Sequence, residues 1–507
     1  YDKRLIDVLS EENVLRSLAT TITTSGEHKI NIAATKPAAS WIEEGAPLTF
    51  GDATFDQIVL DAHKLHVAVK VTEELLYDNA FKLESYLIEQ FARENYEKYA
   101  LFNLEEDPRL ARAFDGNLDP RTVISNLSQI TGHTLDTENM LYVFDEAQVS
   151  NRALTALKYF QEANFSHPVI AAGSLLGVAV NQRYYSLPVG KVNTMVLHPM
   201  TFDEFMGATG HALMLEGIRE AYFDRRAYQL HDQAMGLYRT YLLVGGMPEA
   251  VAAYARTGDV RDAVRVHRDI LNLYLADMVK YAPSPTDVAR ARDVWNSVPG
   301  QLAKENHKFQ YRQVRSGGRS SEYEGAISWL LSAGLIDKCM RVSSGQVPLR
   351  LHEDRGSFKI YANDVGLLST MSGIPASALF DERGRSLLDT GGLTENYVVQ
   401  QMVARGIEPR YWTSGNRAEV DLVVEDGSAK AVPIEIKSTK NVRSRSLGVY
   451  RDRYEPDRVV RVSARNFGTV LTGDVESIPL YAVGCLADDV AMRRGANEGM
   501  GSWAPTA

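Results

Sequence analysis

Residues 141–148 read LYVFDEAQ, an unbroken apolar run closed by Asp145 and Glu146. Such a run has no face for water, so it fits a strand covered on both sides, as in a parallel sheet flanked by helices. Its tip then carries two carboxylates. Magnesium prefers oxygen ligands, and a neighbouring acid can orient water for attack on a phosphate. Asp145 is thus a candidate metal ligand and catalytic group, with Glu146 beside it; the alternative is a solvated strand end. No GxxxxGK[ST] loop precedes this strand to hold phosphates.

A chain of 507 residues is too long for one core, and about three domains are expected. Hydrophobic content of 45% with 24% charged residues is ordinary for a soluble globular protein. Net charge −10 argues against coating nucleic acid through the overall field. The two cysteines, Cys339 and Cys485, exclude a disulfide scaffold and point to a reducing, cytoplasmic setting. The most apolar stretch, 169–180, is shorter than the roughly 18 residues of a membrane helix, so no membrane association is expected. No signal peptide is visible, and an opening on Tyr1 rather than Met reads as a truncated frame.

Residues 1–84 are strand-rich. Segments 30–33 and 55–60 flank an excursion bearing Lys36, Pro37, Gly45 and Pro47, and 65–71 (LHVAVKV) alternates like a half-buried strand. Leu83, Tyr86, Leu87, Phe91 and Tyr99 form a helical stripe. From Leu101 to about Leu197 the pattern is α/β, with strands expected at 99–104, 140–144, 169–172 and 195–197. Residues 201–300 read as helical, and 301–345 as a winged-helix-like unit with a helix at 323–333. Residues 390–480 return to α/β, and the tail after Asp488 is expected to fray.

Glu395 falls on a helix (TENYVVQQM), Asp421 ends an expected strand at 418–421, and PIEIK (433–437) forms the next. Glu435 and Lys437 are two apart and share a face. A hairpin of this spacing gathers two carboxylates, candidate magnesium ligands, and an ammonium suited to positioning water for phosphodiester cleavage. The alternative is a solvated hairpin face. Nine basic residues follow within 437–465, Lys440, Arg443 and Arg445 among them, against three acids. Arg312 and Arg315 belong to a second basic run before the 323–333 helix. Either run suits phosphate contacts, or solubilising charge.

From about Ser85 the chain resembles AAA+-type ATPases carrying a C-terminal PD-(D/E)xK nuclease-like domain. The resemblance is carried by SYLIEQFARENYEKYALFNLEEDP, LYVFDEAQ, VIAAGSLLGV, LPVGKV, HPMTFDEFM, VGGMPEAV, YEGAISWLLSAGLI, KIYANDVGLL and the carboxylate run above. It implies ATP and magnesium as cofactors, DNA as a partner and a homo-oligomer. Asp145 and Glu146 would be the Walker B pair and Ser174 the sensor near the γ-phosphate. Where the family has its glycine-rich loop, this chain reads AFKLE before Ser85. Ser85 could mimic the magnesium-binding hydroxyl, but without glycines the amide nest cannot form, so poor ATP binding and no efficient hydrolysis are expected.

Residues 16–95 resemble the N-terminal part of Hong Kong 97-type phage major capsid proteins, through AASWIEEGAPLTFGDATFDQIVLDAHKLHVAVKVTEELLYDNAFKLESYLIEQFA (38–92). The two resemblances overlap on residues 84–92, so the join falls inside one helix. The expected fold is α/β: an incomplete P-loop AAA+-type sheet, a helical and winged-helix middle, a C-terminal restriction-endonuclease-like α/β domain, and a β-hairpin-plus-helix leader. The expected boundaries are 1–84, 85–200, 201–300, 301–385, 386–485 and a flexible 486–507. Two other readings stand beside this one: a capsid fragment with capsid assembly partners, and a chimeric product without unitary function.

Overall fold

A computed structural model describes residues 28–33, 55–60, 96, 98–135, 140–163, 165, 167–173, 191–282, 284–304, 307–375, 390–415, 418–440, 445–468 and 475–497. The chain divides into two compact units, Tyr1–Val69 and Lys70–Ala507. In the first, β1 (His28–Ala33) and β2 (Phe55–Leu60) pair antiparallel with Ile30 opposite Ile58, the hairpin its two apolar runs predict. The excursion between them, the 65–71 segment and the helical stripe up to Phe91 lie outside the described residues. Tyr99, the last member of that stripe, belongs instead to a strand.

The second unit opens with three parallel strands in the order β3 (Lys98–Asn103), β4 (Met140–Asp145), β5 (Val169–Ala171). Every residue of β4 is buried. Tyr142 and Phe144 pack towards helices α1 (Pro120–Thr131) and α2 (Asn151–Glu162), while Leu141 and Val143 face Tyr96, Tyr99 and Ile170. Asp119 caps α1 by accepting from the Arg121 and Thr122 amides, Pro120 fits its first turn, and Gly132 ends it at φ 73°. The expected strand at 195–197 does not form. Met195, Val196 and Leu197 are 91%, 69% and 59% exposed. A strand needs a neighbour's ladder, and no described strand pairs with this segment.

Helices then dominate: α3 (Phe202–Ala208), α4 (Ala212–Phe223), α5 (His231–Val244), α6 (Pro248–Thr257), α7 (Val260–Tyr281), α8 (Pro285–Leu302) and α9 (Ser320–Ser332). A capping box of Thr201 and Glu204 starts α3. Beyond α9 the strands β6 (Ile336–Val342), β7 (Glu353–Ala362), β8 (Arg410–Thr413), β9 (Glu419–Val424), β10 (Val432–Lys437), β11 (Val459–Ser463) and β12 (Val475–Pro479) form one mixed sheet, ordered β12-β11-β10-β9-β8-β6-β7. The β6–β7 ribbon joins it through parallel pairing of β6 with β8. Helices α10 (Val365–Met371), α11 (Gly391–Val403), α12 (Ser446–Tyr454) and α13 (Val483–Asn497) complete this region. Asp421 is not the end of its strand, because β9 continues through three buried apolar residues to Val424. Nor does the tail fray at Asp488. Val483, Leu486, Ala487 and Val490 recur at helical spacing and are buried, which holds α13 to the core.

Three sequence motifs meet at one buried crossing. Gly246 accepts at its carbonyl from the Met200 amide (2.7 Å) and donates its own amide to Asp364 Oδ2 (2.5 Å). Tyr241 Oη donates to the Met200 carbonyl (2.5 Å), and Gln400 Nε2 donates to Asp364 Oδ2 (3.2 Å). Asp364 also caps α10 by accepting from the Leu367 amide. HPMTFDEFM, VGGMPEAV and KIYANDVGLL thus serve to lock helices onto the sheet. Among the described residues no helix is long and apolar enough to cross a membrane, and Cys339 and Cys485 are buried free thiols.

Candidate functional site

Asp145 lies at the end of β4, in register with Asn103 of β3. Its Oδ2 accepts from Asn103 Nδ2 (3.0 Å) and its Oδ1 from the Glu146 amide (3.0 Å), so both oxygens are engaged. Glu146 adopts a left-handed conformation (φ 51°), which turns its side chain to Gln148 Nε2. Burial, then the Asp145 and Glu105 charges, raise the Glu146 carboxyl against the pull of Gln148 and Lys280. Ser174 and Ser85 lie outside the described residues. Asn103 escaped sequence reasoning, although its place at the tip of the preceding strand was a usable signal. A cavity of about 480 Å³ lined by Arg121, Ser128 and Gln129 also includes Thr134 and Phe165, which precede β4 and β5. It therefore sits at the opposite end of this sheet from Asp145.

The second cluster is assembled as the hairpin spacing predicts. β9 and β10 pair antiparallel, and Asp421 Oδ2 accepts from the Ile436 amide (2.8 Å). Lys437 Nζ lies 2.6 Å from Glu435 Oε1, while Glu435 Oε2 is buried without a hydrogen-bond partner. Arg461 on β11 stands opposite Glu435 in the parallel register. Glu395, on α11, meets two partners that sequence reasoning missed. Lys359 Nζ lies 2.9 Å from Glu395 Oε1 and 2.8 Å from Glu419 Oε1, and His307 Nδ1 contacts Glu395 Oε2. Lys359 is 1% exposed and lies 4.8 Å from the Tyr411 ring centre. Glu419 was legible, since it lies two residues before Asp421 and so shares its face. Lys359 was not, because only the β6–β8 pairing brings β7 into this sheet.

The electrostatics follow from this packing. Burial works against the Lys359 ammonium, but Glu395, Glu419 and Asp421 prevail and hold it charged. Burial likewise opposes ionisation of Glu395, yet Lys359 and His307 pull its carboxyl well below the ordinary range. Asp421 goes the other way. Burial, then Glu435 and Glu395, push it well above the usual carboxylate range, against Lys359 and Lys437. A carboxyl raised in the folded state contributes stability that is full below its unfolded value of about 4 and is lost as pH rises through the folded value. Asp421→Asn should therefore raise the melting temperature at pH 8 and give no gain at pH 4. An equal change at both pH values in a thermal-shift series would contradict this origin.

For a divalent cation, the Asp421–Glu435 pair offers a repelled carboxyl and an orphaned buried oxygen, both of which a cation would relieve. Magnesium commonly takes one or two protein carboxylates and keeps its waters, so the pair fits such an ion. No group of three or more metal-ligating side chains stands ready among the described residues, and Glu395 is occupied by Lys359 and His307. Asp145 fits less well, since both of its oxygens already accept hydrogen bonds.

The basic residues separate on inspection. Lys440, Arg445, Arg312 and Arg315 are exposed, and Arg443 lies outside the described residues. Arg458 is drawn into a structural network with Glu476 (2.6 Å) and Asp489 (2.7 Å), so the positive run at 437–465 is narrower than its count suggests.

Family models match four segments of the chain. Residues 84–206 match an AAA domain, 2–101 the phage capsid family, 235–378 a domain of unknown function (DUF8612), and 390–482 a domain of unknown function (DUF4143). No curated protein and no solved structure matches the chain. The chain thus carries an AAA-type ATPase-like region behind a capsid-like N-terminal region. The two matches overlap on residues 84–101, which include 84–92, where the two sequence resemblances meet.

Proposed function

We propose that the β9–β10 hairpin and α11 form a magnesium-dependent site for cleaving nucleic-acid phosphodiesters, of the PD-(D/E)xK nuclease-like kind. It is joined to an AAA-type region with impaired ATP binding. The observation that carries this reading is the orphaned Glu435 Oε2 beside Asp421, with the Lys437 ammonium on the same face. Asp421 and Glu435 would hold the ion, which supplies Lewis-acid stabilisation of a phosphate oxygen. Lys437 is placed to position water, and Lys359 fixes Glu395 at the edge of the cluster. The α9 helix followed by the β6–β7 ribbon supports a winged-helix reading of 301–385, and the exposed basic residues suit DNA. Incubation of the full chain with DNA and magnesium should give cleavage that Asp421→Asn and Lys437→Ala each reduce by about 100-fold or more. Cleavage unchanged in both variants would remove the reading.

Impaired nucleotide binding follows from the missing glycine-rich loop and from the engagement of both Asp145 oxygens. Calorimetry should show no saturable ATP binding at millimolar concentration. Hydrolysis that disappears in Glu146→Gln would overturn this. A structural role as a capsid fragment is favoured by the β1–β2 hairpin and the capsid-family match, and predicts shells or rings in negative-stain images of purified protein. Cytoplasmic residence and homo-oligomer formation belong to the same proposal, and light scattering tests the latter.

A further inference from the structure

A second feature of this region carries charge without using it. Gln310, Tyr311, Arg312, Arg319, Glu324 and Arg355 wall a cavity of about 710 Å³ at the start of α9. Arg312, Arg319 and Arg355 are exposed, and among the described residues none of their side chains has a carboxylate at ion-pair distance. The one acid in the wall, Glu324, acts on Tyr311 of the same wall and on Lys338. The cavity therefore has a net positive lining with three guanidinium forks, the side chain best matched to phosphate oxygens.

The cavity wall shares its chain segments with the partners of Glu395. In the β6–β7 ladder Phe358 pairs with Met340 and Asp354 with Arg341, so residues 355–357 bulge out of register. A bulge re-aims side chains, and this one turns Arg355 and Gly356 to the cavity wall. Lys359, back in the ladder opposite Cys339, reaches Glu395 and Glu419. Arg355 and Lys359 are thus at most about 13 Å apart along one strand, the axial span of about four nucleotides. The other wall makes the same connection, since His307 contacts Glu395 and Gln310 to Arg312 line the cavity.

We infer that the Arg312–Arg319–Arg355 cavity seats the phosphodiester backbone of a DNA strand and leads that strand to the Asp421–Glu435 cluster. This inference rests on reading the cluster as a nucleic-acid site. It adds the place where substrate is held, which the carboxylates cannot supply because they repel phosphates.

The test uses the full chain with chelator present, so that binding is read without cleavage. Fluorescence anisotropy follows a labelled DNA strand of about 20 nucleotides between 50 and 200 mM salt. Arg312→Ala/Arg355→Ala should bind at least about 10-fold more weakly than the parent and flatten the slope of log K against log salt by about 1.4, two contacts at about 0.7 each. Both sites are exposed, so the melting temperature should not move. Arg109→Ala/Arg265→Ala, at exposed arginines on other elements, should cost less than about threefold, as expected of charges away from the cavity. The inference falls if the parent fails to bind, or if the Arg312/Arg355 variant binds with the parent's affinity and salt slope. Magnesium-dependent cleavage is scored separately. Loss of the cleavage reading with binding still dependent on Arg312 and Arg355 leaves the cavity standing.

Discussion

Lys359→Met should lower the stability of the seven-stranded region by about 3–5 kcal/mol, the cost of leaving buried charge uncompensated. The ammonium is 1% exposed and is shared between Glu395, itself 3% exposed, and Glu419. Methionine fills most of the volume, so the loss is electrostatic rather than a cavity effect. Glu419 keeps some contact with water and contributes the smaller share. Two controls separate this origin from general damage. Adding Glu395→Gln should restore part of the loss, because the strongest orphan is then neutral. The deficit should also shrink at acid pH, where Glu395, freed from its cation, takes up a proton. Urea unfolding of the four proteins of this cycle measures the coupling. A single-variant cost below about 1 kcal/mol, the range of an exposed pair, would mean that Lys359 is solvated.

Gly246→Ala should cost about 1–3 kcal/mol, the cost of one buried hydrogen bond broken. A β-carbon at this position would stand 2.0 Å from the Met200 carbonyl oxygen and 2.7 Å from its nitrogen. Both are backbone atoms, so relief requires moving the 198–201 segment or the α5–α6 connection. Either movement breaks the Met200–Gly246 bond or the Gly246–Asp364 bond. Gly236 on α5 is the matched control, with open space where its β-carbon would go. Gly236→Ala should stabilise by about 0.5–1 kcal/mol through helix propensity. Equal melting temperatures for the two variants would show that the crossing yields without strain.

The reach of sequence reasoning differs by element. The strand at 140–145 was legible because its six buried residues have no polar alternation, and its acidic tip followed from chain order alone. The Asp421, Glu435 and Lys437 face was legible because antiparallel hairpins have a period of two. The segment at 195–197 misled because apolar content shows strand propensity but not a partner, and a strand without a ladder stays extended and exposed. The tail misled for the opposite reason. Small residues read as frayed, yet Val483, Leu486, Ala487 and Val490 find a core to pack on.

Local chemistry, then, settled which side chains are acidic, the apolar strand at 140–145, the shared face of Asp421, Glu435 and Lys437, and that no GxxxxGK[ST] sequence precedes Tyr86. Short-range periodicity and composition encode these features directly. Tertiary structure alone decided that Lys359 and His307 contact Glu395, and that three separated glycine- and proline-bearing motifs close on one crossing. It also decided that β7 carries an arginine cavity and the cluster's buried lysine on one strand. Each of these depends on pairing between segments tens to hundreds of residues apart, and the order β8-β6-β7 that creates them is set by the shared core rather than by any local pattern.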